Sequence, residues 1–320
     1  MNWRLSAREI ALRAEEAKKL SSPCGLCPRC CGVHRLSGEQ GYCDCGPMPR
    51  IAAVTAHFGE EPPLTVDGGA GTVFFSRCNM SCVFCQNHQI SQGSLGRDVT
   101  EGTLAQEMLR LQSLGCANIE AVSASHQLPW FLEALASARE SGLDLPIVYN
   151  TNGYEAPQTL EILEGIVDVY LPDLKYASDE CASCYSDTPD YVRVARQAVS
   201  MMHSQVGNLV VDLSGRAVRG LIIRLLVLPN GIAGIQDSLL WIKDHFPATV
   251  TLSIMSQYAP LHHASKHPEL NTTITEHEYE AILEEAWDLG FENIYIQDMT
   301  SSRCGIPDFS SDRPFSWDDT

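Results

Sequence analysis

Apolar residues recur along the chain in short strand-like runs that are separated by longer segments with helical periodicity. The strand-like runs lie at 73–75, 119–122, 147–149, 167–171, 221–228, 250–255 and 293–296. The helix-like segments between them lie around 101–114, 129–141, 157–164, 188–205, 235–245 and 276–289. Because parallel strands need crossover connections, this alternation predicts an α/β fold with a parallel sheet. About six βα units fall short of the eight in a closed barrel, so we expect a partial, open TIM-like βα barrel.

The regions outside this alternating pattern differ in composition. Residues 6–20 favour an exposed amphipathic helix, and residues 21–50 are rich in Cys, Gly and Pro, as is typical of a loop-dominated metal-binding segment. From these changes we predict three parts of the chain. They are an N-terminal helix with a small Cys-rich metal-binding segment over 1–68, the partial barrel over 69–298 and a C-terminal tail over 299–320.

Composition and charge narrow the class of protein. The chain has 320 residues, of which 44% are hydrophobic, enough for one large domain with a substantial core. A formal net charge of −18 argues against a nucleic-acid-binding surface, so no nucleic-acid partner is expected. No signal-peptide core is visible, and the strongest apolar run, 221–228, is too short to span a bilayer. We therefore expect a cytoplasmic protein without a membrane partner. Arg224, which lies within that run, must point into the polar interior of the barrel or pair with an acid, because a buried unpaired Arg would be too costly.

Three cysteines form the most informative motif of the chain. Cys78, Cys82 and Cys85 follow the C-x3-C-x2-C spacing, directly after the first strand-like run of the barrel. Three thiolates can hold three irons of a 4Fe–4S cluster, which takes four ligands, so one iron remains open to a bidentate small molecule. The amino and carboxylate groups of a methionine suit that position. The alternatives are a structural zinc loop, which favours paired cysteines and a fourth ligand, or three unrelated thiols.

On this motif the chain resembles the radical S-adenosylmethionine superfamily. Within it, the chain is most similar to the pyruvate formate-lyase-activating-enzyme-like group, over the stretches 78–92, 118–129, 147–155, 167–176, 221–230 and 255–260. The resemblance implies a 4Fe–4S cluster on Cys78, Cys82 and Cys85, with S-adenosylmethionine on the open iron. It also implies that one electron cleaves the cofactor to methionine and a 5′-deoxyadenosyl radical, which abstracts hydrogen from a substrate.

Residues that follow the predicted strands are the first candidates for cofactor binding, since chemistry collects at the carboxyl ends of parallel strands. The resemblance places Phe84 near the adenine, although loop packing is also an available role. Ser125 and His126 occupy the position where most of the superfamily carries a Gly-Gly-Glu-type stretch; for His126 the alternative is an ordinary hydrogen-bonded histidine. Asn150 and Thr151 suit a ribose or carboxylate contact, or else belong to a plain turn.

Two further strand ends supply charged and substrate-facing candidates. Asp173 and Lys175 match an Asp-x-Lys sequence of the activating enzymes, in which the Asp and a preceding Asp-Thr pair hold a monovalent cation beside the cofactor. Here Asn150 replaces the first Asp, so either such a cation or Lys175 itself would neutralise the cofactor carboxylate. A strand-end ion pair is the purely structural alternative. Gln257 and Tyr258 are expected at the mouth of the cavity, in contact with substrate.

A second cysteine cluster lies in the N-terminal segment, between residues 24 and 45. The activating-enzyme-like group has the pattern C-x2-C-P-R-x-C-G-V with a later G-x-C. This pattern selects four of the cysteines and does not include Cys30 and Cys45. The four are Cys24, Cys27, Cys31 and Cys43. Four thiolates at this spacing form a closed site for zinc or for an auxiliary iron–sulfur cluster, and the sequence leaves both open. Zinc would stabilise a segment that has no hydrophobic core of its own, whereas a cluster would relay electrons or bind substrate.

These features define one leading function and two alternatives. The leading hypothesis is an activase-like enzyme that abstracts hydrogen from a glycine of a partner, a glycyl radical enzyme, whose peptide loop enters the open barrel. The first alternative is a radical reaction on a small molecule or on another peptide residue. The second is an iron–sulfur or zinc protein that binds or transfers electrons without cleaving S-adenosylmethionine. For the radical enzyme we expect an electron donor of the flavodoxin or ferredoxin type.

Overall fold

A computed structural model describes residues 4–66, 68–303, 305–311 and 313–315. The strands of these residues are β1 Arg50–His57, β2 Ala70–Phe75, β3 Arg97–Asp98, β4 Ile119–Val122, β5 Ile147–Thr151, β6 Val169–Pro172, β7 Val210–Val211, β8 Ala217–Leu226, β9 Thr251–Met255 and β10 Asn293–Ile296. The helices are α1 Ala7–Leu20, α2 His88–Ser91, α3 Glu101–Ser113, α4 Leu128–Glu140, α5 Pro157–Leu163, α6 Asp179–Ser186, α7 Tyr191–Val206, α8 Ile235–His245 and α9 Glu276–Asp288. None of the helices in the described ranges is long and apolar enough to cross a membrane.

The strands form one sheet in the order β3-β1-β2-β4-β5-β6-β8-β9-β10, with β7 paired to β8. From β2 to β10 the neighbours along this path are parallel. Each strand-like run of the sequence overlaps one of these parallel strands. In the described part of the chain β3 and β10 do not pair, so the sheet is open. The predicted α/β class and the partial barrel are therefore confirmed.

A hairpin that the sequence pattern did not predict extends the sheet at one edge. β1 pairs antiparallel with β2, and β3 pairs antiparallel with β1. Most side chains of β1 are only partly buried, so its sequence lacks the continuous apolar run that marks the parallel strands. This pairing crosses the predicted boundary at 68/69, and it joins the N-terminal segment to the barrel by backbone hydrogen bonds.

The N-terminal helix α1 packs against the barrel helices instead of lying exposed. Ile10, Ala14 and Ala17 are buried on the face that contacts α4 and α5. Arg4, just before the helix, places its Nε 2.6 Å from Oδ1 of the buried Asp168 at the start of β6. The helix is amphipathic as predicted, but its apolar face is part of the core.

Candidate functional site

The loop with the three cysteines leaves the carboxyl end of β2 through a left-handed residue, Arg77, with φ 76°. The Arg77 N–H donates to Ile90 O at 2.7 Å, which ties the start of the loop to α2. Further along, the Val83 N–H donates to Tyr185 O at 2.9 Å, which ties the loop to α6. These backbone bonds hold the loop over the end of the barrel.

Cys78, Cys82 and Cys85 all line one cavity of about 330 Å³. Its other walls come from the carboxyl ends of the parallel strands, with Asn152 after β5 and Gln297 after β10 among the lining residues. A volume in this range is typical of sites that bind small molecules. The three thiols therefore share a cavity with room for a further ligand beside them.

Each thiol has a polar neighbour that can stabilise its thiolate. The contacts are Asn152 Nδ2 to Cys78 Sγ at 3.5 Å, Ser186 Oγ to Cys82 Sγ at 3.0 Å and Ser91 Oγ to Cys85 Sγ at 3.2 Å. Burial raises the pKa of Cys78 to about 12 and that of Cys85 to about 11, and it also raises the pKa of Cys82. The metal-free thiols are thus protonated at neutral pH, and iron must displace their protons.

These residues fit a 4Fe–4S cluster with one open iron. Three sulfur ligands of the right type face one cavity, and none of the other described cysteines lines it. The thiolates would receive hydrogen bonds from fixed neighbours, as outer-shell partners of metal ligands usually provide. In the described ranges no three Cys, His, Asp or Glu side chains close around a single ion. A cubane does not require such closure, because each thiolate binds its own iron.

A half-buried charged cluster lies in the cavity wall near the ends of β6 and β8. Arg224 Nε donates to Asp173 Oδ1 at 2.8 Å, and Lys175 Nζ lies 2.5 Å from Asp173 Oδ2. Arg224 also donates to Asn150 Oδ1 at 2.6 Å and to Glu60 Oε2 at 3.1 Å. Burial alone would raise the pKa of Asp173, but the two cations outweigh it and hold this pKa below its usual range. Of the two alternatives expected for Arg224, the structure thus shows the pairing with acids.

The ends of β5 and β6 approach each other closely at Gly153. Its φ is +79°, and a Cβ at this position would lie 2.5 Å from Asp173 O. Another residue here would strain the backbone and push the Asp173 strand end away. Gly153 thus helps to set the position of the charged cluster.

Three carboxyl groups of the barrel interior, the half-buried Glu60 and the buried Glu61 and Glu120, were not singled out from the sequence. Glu60 and Glu61 line the cavity, and Glu120 accepts a hydrogen bond from Asn150 Nδ2 at 2.7 Å. Burial raises the pKa of Glu61 to about 7 and that of Glu120 well above its usual range. Glu120 could have been noticed in the sequence, because it is an acid inside an apolar run. Glu60 and Glu61 follow the unpredicted β1, and no sequence pattern marks them.

The predicted cofactor and substrate residues divide between two environments. Those that line the cavity are Phe84, Asn150, Asp173, Lys175, Gln257 and Tyr258. Ser125, His126 and Thr151 do not line it. Ser125 and Thr151 donate to the buried Glu155, and His126 Nε2 lies 2.9 Å from Ser76 O. Burial lowers the pKa of His126 to about 4, so the ring is neutral, and a direct role of these three residues in cofactor binding remains a prediction.

The buried Glu155 should make the stability of the apoprotein depend on pH. Burial raises its pKa from 4.5 to about 7, so the folded state keeps a proton that the unfolded state releases in this range. This contribution to stability is complete at low pH and is lost as pH rises through about 7. Glu155→Gln should flatten that decline in the free energy of unfolding by urea between pH 4 and 8. The exposed control Glu161→Gln should keep the wild-type profile, and an unchanged profile in Glu155→Gln would contradict this assignment.

The N-terminal cysteines enclose a second, smaller cavity. The cysteines that line it are Cys24, Cys27, Cys31 and Cys43. Arg35 and His126 also line it, whereas Cys30 is exposed and Cys45 accepts a hydrogen bond from Gln127 Nε2 at 3.3 Å. The structure thus gathers the same four cysteines that the sequence pattern selects.

A family model matches the part of the chain that carries the triad loop. Residues 72–211 match the family model described as the radical SAM superfamily. The chain is 27% identical over 292 residues to the uncharacterised protein MJ0674 of Methanocaldococcus jannaschii, covering 89% of this chain and 80% of that protein. Among solved structures, Streptococcus suis SuiB aligns with a TM-score of 0.46 and 11% identity. That alignment spans 72% of this chain and 48% of the SuiB chain, less than half of its length.

The fold and the site together define an open α/β barrel with a three-cysteine loop at the end of its first parallel strand. The chain contains a radical SAM superfamily domain, which extends from β2 to β7 and includes that loop. The superfamily implies a 4Fe–4S cluster and S-adenosylmethionine as cofactors.

Proposed function

We propose that the protein reductively cleaves S-adenosylmethionine and that the product radical abstracts a hydrogen atom from a substrate. The observation that carries this proposal is the placement of the three thiols on a single cavity beside an ionised, charge-paired wall. When bound there, the cluster and the cofactor supply the electron transfer that yields methionine and a 5′-deoxyadenosyl radical. The protein binds and orients both groups and keeps water away from them.

Different cavity residues suit the polar and the apolar parts of the cofactor. Lys175, close enough to Cys82 for their charges to interact, suits the carboxylate beside the cluster. Both oxygens of Asp173 already accept from Lys175 and Arg224, which favours direct neutralisation over a monovalent cation. The rings of Phe84 and Tyr258, with centroids 5.7 Å apart, provide an apolar wall for the adenine.

The proposed hydrogen donor is a glycine of a partner enzyme, which makes the protein an activase of a glycyl radical enzyme. The resemblance of the strand ends to the activating enzymes supports this choice, and so does the open sheet between β3 and β10. A glycine has no side chain, so its Cα can approach the reacting centre closely. Gln257 and Tyr258 line the cavity after β9, where they would contact the incoming peptide. The electron donor would be a flavodoxin or ferredoxin type protein.

The buried acids favour a second candidate, a small molecule or a different peptide residue that carries hydrogen-bond donors. Glu61 lines the cavity, and its Oε2 has no hydrogen-bond partner among the described residues. Buried polar atoms normally have a partner, so an amino or hydroxyl group of a substrate would satisfy this oxygen. The carboxyl group of Glu61 would then help to select the substrate.

The cleavage reaction is tested by anaerobic reconstitution with iron and sulfide, followed by dithionite and S-adenosylmethionine. We expect 5′-deoxyadenosine, quantified by liquid chromatography with mass spectrometry. If protein with an intact cluster forms none of this product, the proposed enzymatic activity is contradicted. That result would favour the alternative of an electron-transfer or binding protein.

The site of hydrogen abstraction is tested with deuterium. The substrate is a protein extract from cells that were grown on α-deuterated glycine. With it we expect 5′-deoxyadenosine that is heavier by one deuterium. Proteins labelled with α-deuterated alanine are the matched control and should give unlabelled product. Deuterium transfer from alanine, or from neither residue, would contradict the activase and favour the second candidate.

A further inference from the structure

A stretch of the chain beyond β10 returns across the cavity that holds the three thiols. It consists of residues 305–311 and 313–315, and we call it the C-terminal strap. Gly305 and Phe315 of the strap line this cavity together with the thiols. The strap is therefore part of the wall of the candidate active site.

Two glutamine side chains beside the triad bind the polar groups of the strap. Gln86, which directly follows the triad, donates from Nε2 to Gly305 O at 3.0 Å. Gln89 of α2 accepts from the Phe309 N–H at 2.8 Å, and its Nε2 donates to Asp308 Oδ1 at 3.2 Å. Two of these bonds go to backbone atoms, so they would form with the backbone of another peptide on the same path.

Aromatic side chains anchor the strap on the cavity face of β2. The ring of Phe309 is buried, and its centroid lies 5.3 Å from that of Phe74. The ring of Phe315 lies 5.3 Å from Phe74 and 4.4 Å from His57 at the end of β1. The strap thus follows β10 in the chain and packs on β1 and β2, near the other end of the sheet. It therefore crosses the open side of the barrel.

The strap lies where a substrate peptide would enter the cavity. Its contacts with the glutamines and with Phe74 are hydrogen bonds and ring contacts, which a second peptide of the same chemistry can replace. Because the strap is tethered, its effective concentration is on the order of millimolar, so a short free peptide competes poorly with it. A partner protein that gains further contacts outside the cavity would compete better.

We propose that the strap occupies the peptide-binding groove of the enzyme, and that a partner protein displaces it with an extended segment that carries a glycine and an aromatic anchor. The groove is defined by Gln86, Gln89 and Phe74. The backbone of Gly305 has φ +70°, a conformation that favours glycine, so a segment on the same path carries a glycine beside Gln86. An aromatic ring near the Phe309 position would pack on Phe74. The inference rests on the proposed function, because it states how the substrate glycine reaches the cavity.

Peptide binding to the full-length, anaerobically reconstituted protein tests the groove. The probe is a fluorescein-labelled peptide with the sequence of residues 305–315, and its binding is measured by fluorescence anisotropy. The double variant Phe309→Ser, Phe315→Ser should bind the probe about tenfold more tightly than the wild type, in which the groove would be open about a tenth of the time. A probe with serine at both phenylalanine positions should not bind. Equal affinity in the double variant and in the wild type would overturn the proposal.

Two further variants keep this test independent of damage to the aromatic cluster. Asp308→Ala removes an exposed acceptor from the strap and should tighten probe binding about threefold, as expected for one lost hydrogen bond. Gln89→Ala in the double-variant background should weaken binding about tenfold, because it removes two bonds from the groove. If Gln89→Ala has no effect, the probe binds elsewhere and the groove is wrong. The matched control is Leu213→Ser, an exposed apolar residue between β7 and β8, which should bind as the wild type does.

Failure of the cleavage reaction would be seen separately from failure of the groove. The binding assay contains neither reductant nor S-adenosylmethionine. Protein that binds the probe as expected but forms no 5′-deoxyadenosine would support the groove and contradict the cleavage reaction. Protein that forms 5′-deoxyadenosine, but whose strap variants bind the probe no better than the wild type, would overturn the groove alone.

Discussion

Cys82→Ala should abolish the formation of 5′-deoxyadenosine and should remove the triad cluster while leaving the N-terminal metal in place. The triad has no spare ligand in its cavity, because the other described cysteines lie elsewhere. With two thiolates left, a 4Fe–4S cluster has too few protein ligands to persist. The measurement is iron, sulfide and zinc content together with product formation.

The matched control for this prediction is Cys184→Ala. Cys184 is an exposed cysteine of α6 that lines neither cavity, so its loss should change neither metal content nor product. Loss of both metals from Cys82→Ala would contradict the two-site arrangement, because the second cavity is built from other cysteines.

Arg224→Met should cause the largest loss of stability among single substitutions in the cavity wall, about 3–5 kcal/mol. The side chain of Arg224 pairs with Asp173 and Glu60, whose side chains are 14% and 10% exposed. Removal of the cation leaves Glu60 without its guanidinium partner and Asp173 with Lys175 alone, in a poorly solvated wall. The measurement is the free energy of unfolding by urea for the metal-free protein at neutral pH.

An exposed ion pair provides the control for the Arg224 prediction. Arg13 and Glu16 pair on the surface of α1 at 3.1 Å, and Arg13→Met should cost between about 0 and 1 kcal/mol. A similar small cost for Arg224→Met would mean that water reaches the charged cluster. It would also weaken the argument that this wall orients the cofactor by fixed charges.

The order of the parallel strands and helices could be predicted from the sequence because most of the parallel strands are buried on both faces and read as apolar runs. The same approach failed for β1. Its residues, such as Ala52 and Thr55, are mostly half-buried, and its place in the sheet depends on pairing with β2. Strand pairing of this kind is a tertiary effect that single-sequence patterns do not carry.

The site could be predicted in part for a similar reason. Residues directly at strand ends, such as Asn150 and Asp173, reach the cavity because the strand fixes their direction. Ser125 and His126 do not reach it, because the chain turns at the left-handed Ser123 and enters a short 3₁₀ helix that redirects them. Glu60 belongs to a distant segment, and its approach to Arg224 depends on the fold as a whole.

The pairing of β1 with β2 has a consequence for any shortened form of the protein. A chain that began at residue 69 would lack β1 and would leave β2 with an unpaired hydrogen-bonding edge, which invites aggregation. It would also lack α1, whose Ile10, Ala14 and Ala17 pack against α4. The cysteine-rich segment lies between these two anchors, so we expect it to unfold with the barrel despite the change of composition at residue 68. The two sets of cysteines should therefore keep a constant separation and should unfold together in a single transition.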